Sequence, residues 1–475
     1  TGIFVLTAEA AQKAGPGMLW SFIIAGFVCA VAALCYSELA SMVPVSGSAY
    51  TYTYAVMGEL LAWMVGWALV LEYAVAASAV CVGWSGYFVG LLRDYLHIEI
   101  PVALANGPFA GGIVNLPALV IGLLVTWLLM IGTTESARVN AILVVVKVAA
   151  LSLFVVATIG VMNADNFTPM TPNGWGTIGV GGAAASIFFA YVGFDAVSTA
   201  AEETKNPQRN VPIGLIGSLA ICTIFYLLVA SGAIGAIGAQ PVTSLTGEVL
   251  SPGTTALAER CKEIVASGAV EPLSCSKEAL AHVLKTIGWQ KLGGVIGLAA
   301  GLALPSVILM MLYGQTRIFF VMARDGLLPE RLADIHPKWK TPHIVTAITG
   351  VFVAAAAAFL PVGKLADISN SGTLFAFFMV SIAVLLLRRS DPDRERPFRT
   401  PLVWVVAPLA IVGTAVLYFL LPFEAMMVLP VWGGVGLIIY FLYSRKNSHV
   451  GRGHVEVHED DPDAPHNSVP PVPEL

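Results

Sequence analysis

The sequence predicts an all-α polytopic membrane protein, and three observations carry that prediction. Hydrophobic residues make up 57% of the 475 and charged residues only 12%, against roughly 25% charged in an ordinary soluble domain. The mean hydropathy is +0.80. The chain also holds about a dozen continuous apolar runs, most of them near the roughly 20 residues that cross a bilayer. In hydrocarbon every backbone polar group must be satisfied internally, which leaves helices or closed barrels. The runs are unbroken rather than alternating, so the class is helical.

Gly, Pro and charge punctuation places helices over about Gly2–Gln12, Gly17–Val43, Glu59–Leu92, Leu116–Gly132 and Val139–Met162. A second group is expected over about Ile178–Ala201, Pro212–Ile237, Gly293–Ala323, Ile344–Leu360, Leu365–Leu387, Leu402–Leu421 and Ala425–Tyr443. The first of these is half a span. Between the second group's early helices lies a long connection, Gly238–Lys291, with a charged, helix-like stretch from Thr255 to Lys285.

Lys and Arg in short loops accumulate on the cytoplasmic side. They fall at Arg138, Lys205, Arg209, Arg317 to Lys340, Arg388 to Arg399 and Arg445 to Arg452, which predicts a cytoplasmic C-terminus and an outside position for Gly238–Lys291. Cys261 and Cys275 both lie in that outside connection, where a disulfide can persist. A bridge between them is expected, with two free thiols as the alternative. The net charge of -5 gives no reason to expect nucleic acid as a partner. The tail from 444 to 475 is acidic and proline-rich, and its scattered His449, His454, His458 and His466 fit no metal template, so a disordered, solvated segment is expected. No cofactor is expected, and no nucleophile and base constellation suggests an enzyme.

Ionisable groups at mid-membrane cost about 2.5 to 3.5 kcal/mol on insertion scales and usually face an interior cavity. Lys147 lies within the apolar run Ile142 to Leu151, roughly 12 Å deep at 1.5 Å per residue. It reads as a proton switch or as a lysine tying two helices together. Glu72, in the run Trp67 to Ala76, reads as a substrate contact or as a helix pairing group. Asp195 belongs to a helix carrying Gly179, Gly181, Gly182 and Gly193. Those glycines permit either local unwinding or close helix packing. Interrupted helices in corresponding positions of two halves point to a transport site. Thr1-Gly2-Ile3-Phe4 and Val192-Gly193-Phe194-Asp195 would be such a pair if five-helix units repeat.

Several stretches together resemble the amino acid-polyamine-organocation superfamily, in particular its bacterial cationic amino acid transporter branch. They are Thr1 to Thr7, Leu71-Glu72-Tyr73-Ala74-Val75 with Val82 to Tyr87, Phe188 to Asp195 running into Glu202 to Pro207, and Leu312 to Arg317 through Ala323 to Pro329. The resemblance implies a five-plus-five inverted repeat with two additional C-terminal helices. The first repeat would occupy 1–162, the second 178–387 and the extra helices 402–443. It also implies that the cytoplasmic half of helix one would precede Thr1, so a chain starting at Thr1 is expected to bind and transport poorly.

The same resemblance implies a permease of a bacterial cytoplasmic membrane, working by alternating access and coupled to protons, with an uncoupled facilitator, an exchanger or a sensor as alternatives. An amino acid and a proton would be its partners, beside the lipid bilayer. The substrate carboxylate would meet backbone amides at Thr1 and Gly2, and its ammonium would meet carbonyls at Phe189, Ala190 and Val192. Lys147 would take the place of a sodium ion, with Tyr226 near it. Ala303-Leu304-Pro305-Ser306 departs from the small polar residues usual in helix eight.

Overall fold

In a computed structural model the described residues are 2–43, 48–132, 137–196 and 204–449. Thr1, the Glu202-Glu203 pair and the tail beyond 449 lie outside them, as does the side chain of Arg138. Among the described residues the structure is helical, with isolated β-bridges but no strand. Among the described residues eight helical stretches, with Gly2–Met42 counted as one, are long and apolar enough to cross a membrane, and three shorter apolar helices accompany them.

We number the principal helices α1 Gly2–Ala14, α2 Met18–Met42, α3 Ala49–Met57, α4 Glu59–Leu96, α5 Leu116–Met130, α6 Ala137–Ile159 and α7 Val180–Tyr191. Then follow α8 Pro207–Ile237, α9 Thr255–Ala266, α10 Ala279–Thr286, α11 Gln290–Arg324, α12 His343–Phe359, α13 Val362–Ser390, α14 Val403–Leu420 and α15 Phe423–Ile439. Most ends fall within a few residues of the punctuation. Helix α8 starts earlier than expected because Pro207 sits in its first turn, where a missing N–H costs nothing; Pro212 is simply carried inside the helix.

Helix α4 forms the centre, packed against α11, α13 and α12, with its apolar middle almost wholly buried. Its small residues, Ala74, Ala76, Ala77, Ala79 and Gly83, let neighbours approach closely. Helix α6 is its opposite: Ile142, Val145 and Val156 on it are more than half exposed. An apolar face left open on this scale belongs against lipid, not water.

The stretch from Thr255 to Lys285 is not one helix. It breaks into α9 and α10 because Gly268 adopts a positive φ of 79° and Pro272 follows, two residues that do not continue a helix. Cys261 and Cys275 are joined by a disulfide across that break, with Cα atoms 5.7 Å apart. The stapled piece sits over the end of α4, where Arg93 donates to Glu278 at 2.6 Å and Lys285 to the same carboxylate at 3.1 Å. It also packs on α1. We call this side the loop face, and the side where α13 ends the tail face.

Candidate functional site

The site grows from the end of α7. Its last residues, Phe188 to Tyr191, are helical, but Val192 turns extended at φ -60° and ψ 140°, and Gly193 takes φ 114°. Only glycine adopts that last conformation without strain, so the helix cannot continue. Unwound backbone within a membrane is tolerated only where protein or a watery cavity satisfies it, and here protein does part of that. The Val192 amide reaches back to the Phe189 carbonyl at 3.2 Å. The Gly193 amide donates to Asp195 Oδ1 at 3.1 Å, and the Tyr73 hydroxyl of α4 donates to Asp195 Oδ2 at 2.6 Å. Asp195 is fully buried; its immediate work is to hold the break.

Helix α1 runs against this break backbone to backbone. A Cβ at Gly2 would stand 2.3 Å from Ala190 Cα, closer than any side chain allows. From the other side, the Tyr226 hydroxyl of α8 donates to the Ala190 carbonyl at 2.7 Å, its ring packed on Tyr191 and Phe22. Gly2, Phe189, Ala190, Val192, Asp195 and Tyr226 therefore meet in one place.

Glu72 is fully buried one residue before Tyr73, and neither of its oxygens has a hydrogen-bond partner among the described residues. Its polar neighbours are Thr373 and Asp195. An unpartnered carboxyl in such surroundings carries a large desolvation penalty. Lys147 lies on the half-buried side of α6 and donates to Ser306 Oγ at 3.2 Å. It thus ties α6 to α11 just after Pro305, while Tyr226 serves the helix break.

Two groups were not foreseen. On the tail side of the break, Phe194 packs on Phe377 at 5.0 Å and both rings pack edge-on against Tyr36, with Phe188 adding a further edge. On the loop side, Lys13 at the end of α1 pairs with Asp367 of α13 at 3.1 Å, and Ser186 of α7 bonds both. Asp367 interrupts an apolar run and was available as a signal; its partner lies 354 residues away. Among the described residues no group of three or more His, Cys, Asp or Glu is placed to hold a metal.

This geometry, an interrupted helix facing the start of another inside a membrane bundle, coincides with a profile of amino acid permeases that matches residues 1–442. The chain belongs to the amino acid permease family. It is 44% identical to the branched-chain amino acid permease of Bacillus subtilis (strain 168), over 95% of this chain and 91% of that protein. It is 42% identical to the methylthioribose transporter of the same organism, over 94% and 90%. The vacuolar cationic amino acid transporter 4 of Arabidopsis thaliana is 35% identical over 82% of this chain and 61% of its own length. As a permease, the protein is a multi-pass membrane transporter.

Proposed function

We propose that this permease carries an amino acid across a bacterial cytoplasmic membrane by alternating access, in symport with a proton. The α7 break facing Gly2 supports this most directly. In this reading the peptide carbonyls at the end of α7 lie on one side and the first turn of α1 on the other, an arrangement that suits a zwitterion. In this reading Thr1 and Gly2 receive the carboxylate, the carbonyls of Phe189, Ala190 and Val192 receive the ammonium, and Glu72 and Asp195 line the pathway. The two segments begin corresponding five-helix units, the tail face is cytoplasmic, and the loop face is outside.

Lys147 supplies the coupling. An ammonium far from the ends of a membrane helix is held there at a cost that proton release removes. Its contact with Ser306 links that change to α11. Uptake of the twenty amino acids into vesicles containing the protein should rise with an inward proton gradient. In Lys147→Ala the gradient should make no difference. Equal uptake by the unsubstituted protein with and without the gradient would discard the coupling and leave exchange or facilitation, which counterflow identifies. Methylthioribose belongs in the same competition panel, since a relative of nearly equal identity is named for it. A sugar thioether has no ammonium to offer the α7 carbonyls, so it should compete poorly.

A further inference from the structure

A chamber lies on the loop face, about a quarter-turn around α1 from Gly2 at 100° per residue. It has a volume of about 160 Å³ and is walled by Phe4, Val5, Ala8, Val82, Leu257 and Phe359. Three polar side chains on its wall stand out: Glu9 from α1, and Ser274 and Lys277 from the stapled segment. One oxygen of Glu9 meets the Gly363 amide at the start of α13. The other, Oε2, is buried without a partner among the described residues, and so is the hydroxyl of Ser274, whose residue is 9% exposed. The remaining polar groups on the wall are largely spent. Gln12 is used by Val242 and Leu250, and Asn115 by Ser85 and Ala118. Lys277 gives one of its three N–H bonds to Asn106, which leaves others for an occupant, and has Lys262 beside it.

We propose that this chamber is a separate binding site for a small zwitterion, a free amino acid, distinct from the transport site at the α7 break. An ammonium would satisfy Glu9 Oε2, and a carboxylate would satisfy Ser274 and Lys277. Buried polar groups left unmatched are costly, and here a carboxyl oxygen, which can accept, and a hydroxyl, which can donate, line one small cavity beside the Lys277 ammonium. The volume is below that of drug-sized pockets, which start near 300 Å³, and suits a solute of several heavy atoms. An occupant would add a contact among α1, the stapled segment and α13, all of which line the chamber. The chamber would then sense the external amino-acid concentration.

The proposal rests on the permease reading, and the test separates the two. Equilibrium binding of each tritiated amino acid would be measured on the purified protein and on its Glu9→Gln, Lys277→Gln and Ser274→Ala variants. Vesicle uptake would be measured in parallel. The two variants on the stapled segment guard against a packing defect from Glu9→Gln. At saturation the unsubstituted protein should bind two equivalents of at least one small amino acid. Each variant should lose one equivalent while retaining uptake. One equivalent whose affinity is indifferent to all three substitutions, with uptake intact, would overturn the chamber and spare the permease. Absence of binding and uptake for every amino acid would overturn both.

Discussion

Helix α13 is held near both ends by buried ion pairs, and the two are built differently. At the tail face the Glu38 carboxylate of α2 receives Arg388 through Nε and Nη2, each at 2.8 Å, and the Thr400 amide at 2.7 Å; the Arg396 guanidinium lies 3.3 Å away. Roughly 32 Å along the helix, at 1.5 Å per residue, Asp367 meets Lys13 of α1 through one ammonium contact, with Ser186 between them. A planar guanidinium fork matches a carboxylate in two places at once, whereas an ammonium is a point charge on a flexible stem. The tail-face cluster is a rivet. The loop-face cluster is a latch, and it joins the two helices, α1 and α7, that bracket the break.

The largest effect should come from the rivet. Arg388→Ala leaves the buried Glu38 short of its main partner and should cost about 3 to 5 kcal/mol. A melting curve in detergent by size-exclusion fluorescence would measure it, and an unchanged curve would show that Arg396 alone suffices. Lys13→Met should cost less, about 1.5 to 3 kcal/mol, the range of one hydrogen bond to a charged group. It should also speed amide exchange in Gly2–Ala14 without touching the end of α13. Equal acceleration at both ends would erase the distinction between rivet and latch. Ser186→Ala should be mildest, about 1 kcal/mol, because Lys13 and Asp367 remain in direct contact. A double-mutant cycle should then show stronger coupling for Arg388 with Glu38 than for Lys13 with Asp367.

Much of the bundle was readable before any coordinates, because membrane helices are announced by long apolar runs and stopped by Gly, Pro and charge. Helix α3 escaped since Ala49-Tyr50-Thr51-Tyr52-Thr53-Tyr54 has the alternation of a strand and too few residues to span. The Thr255 to Lys285 stretch was read through Gly268 and Pro272, although both residues mark breaks. At the site, Gly193 signalled unwinding because the physics is local: a positive φ needs glycine. The latch and the rivet were not legible for the opposite reason. Each depends on side chains some 350 residues apart that only packing brings together, and a Glu or Arg near a helix end reads equally well as a group reaching for water. Glu9 was passed over in the same way, one turn before Lys13.

If the substrate ammonium meets the α7 break as proposed, the hydrogen bond from Tyr226 to Ala190 bears on chemical selectivity. A carbonyl oxygen has two lone pairs, and at Ala190 one is already committed to the tyrosine. The Phe189 carbonyl is similarly shared with the Val192 amide. The break therefore presents a short ration of acceptors, and they are spread across separate peptide units instead of gathered at one. A primary ammonium, with three hydrogens pointing in different directions, can collect them. An N-methylated or cyclised amine has fewer hydrogens and a bulkier nitrogen, so in the proposed binding mode it should be accepted less well than a primary ammonium.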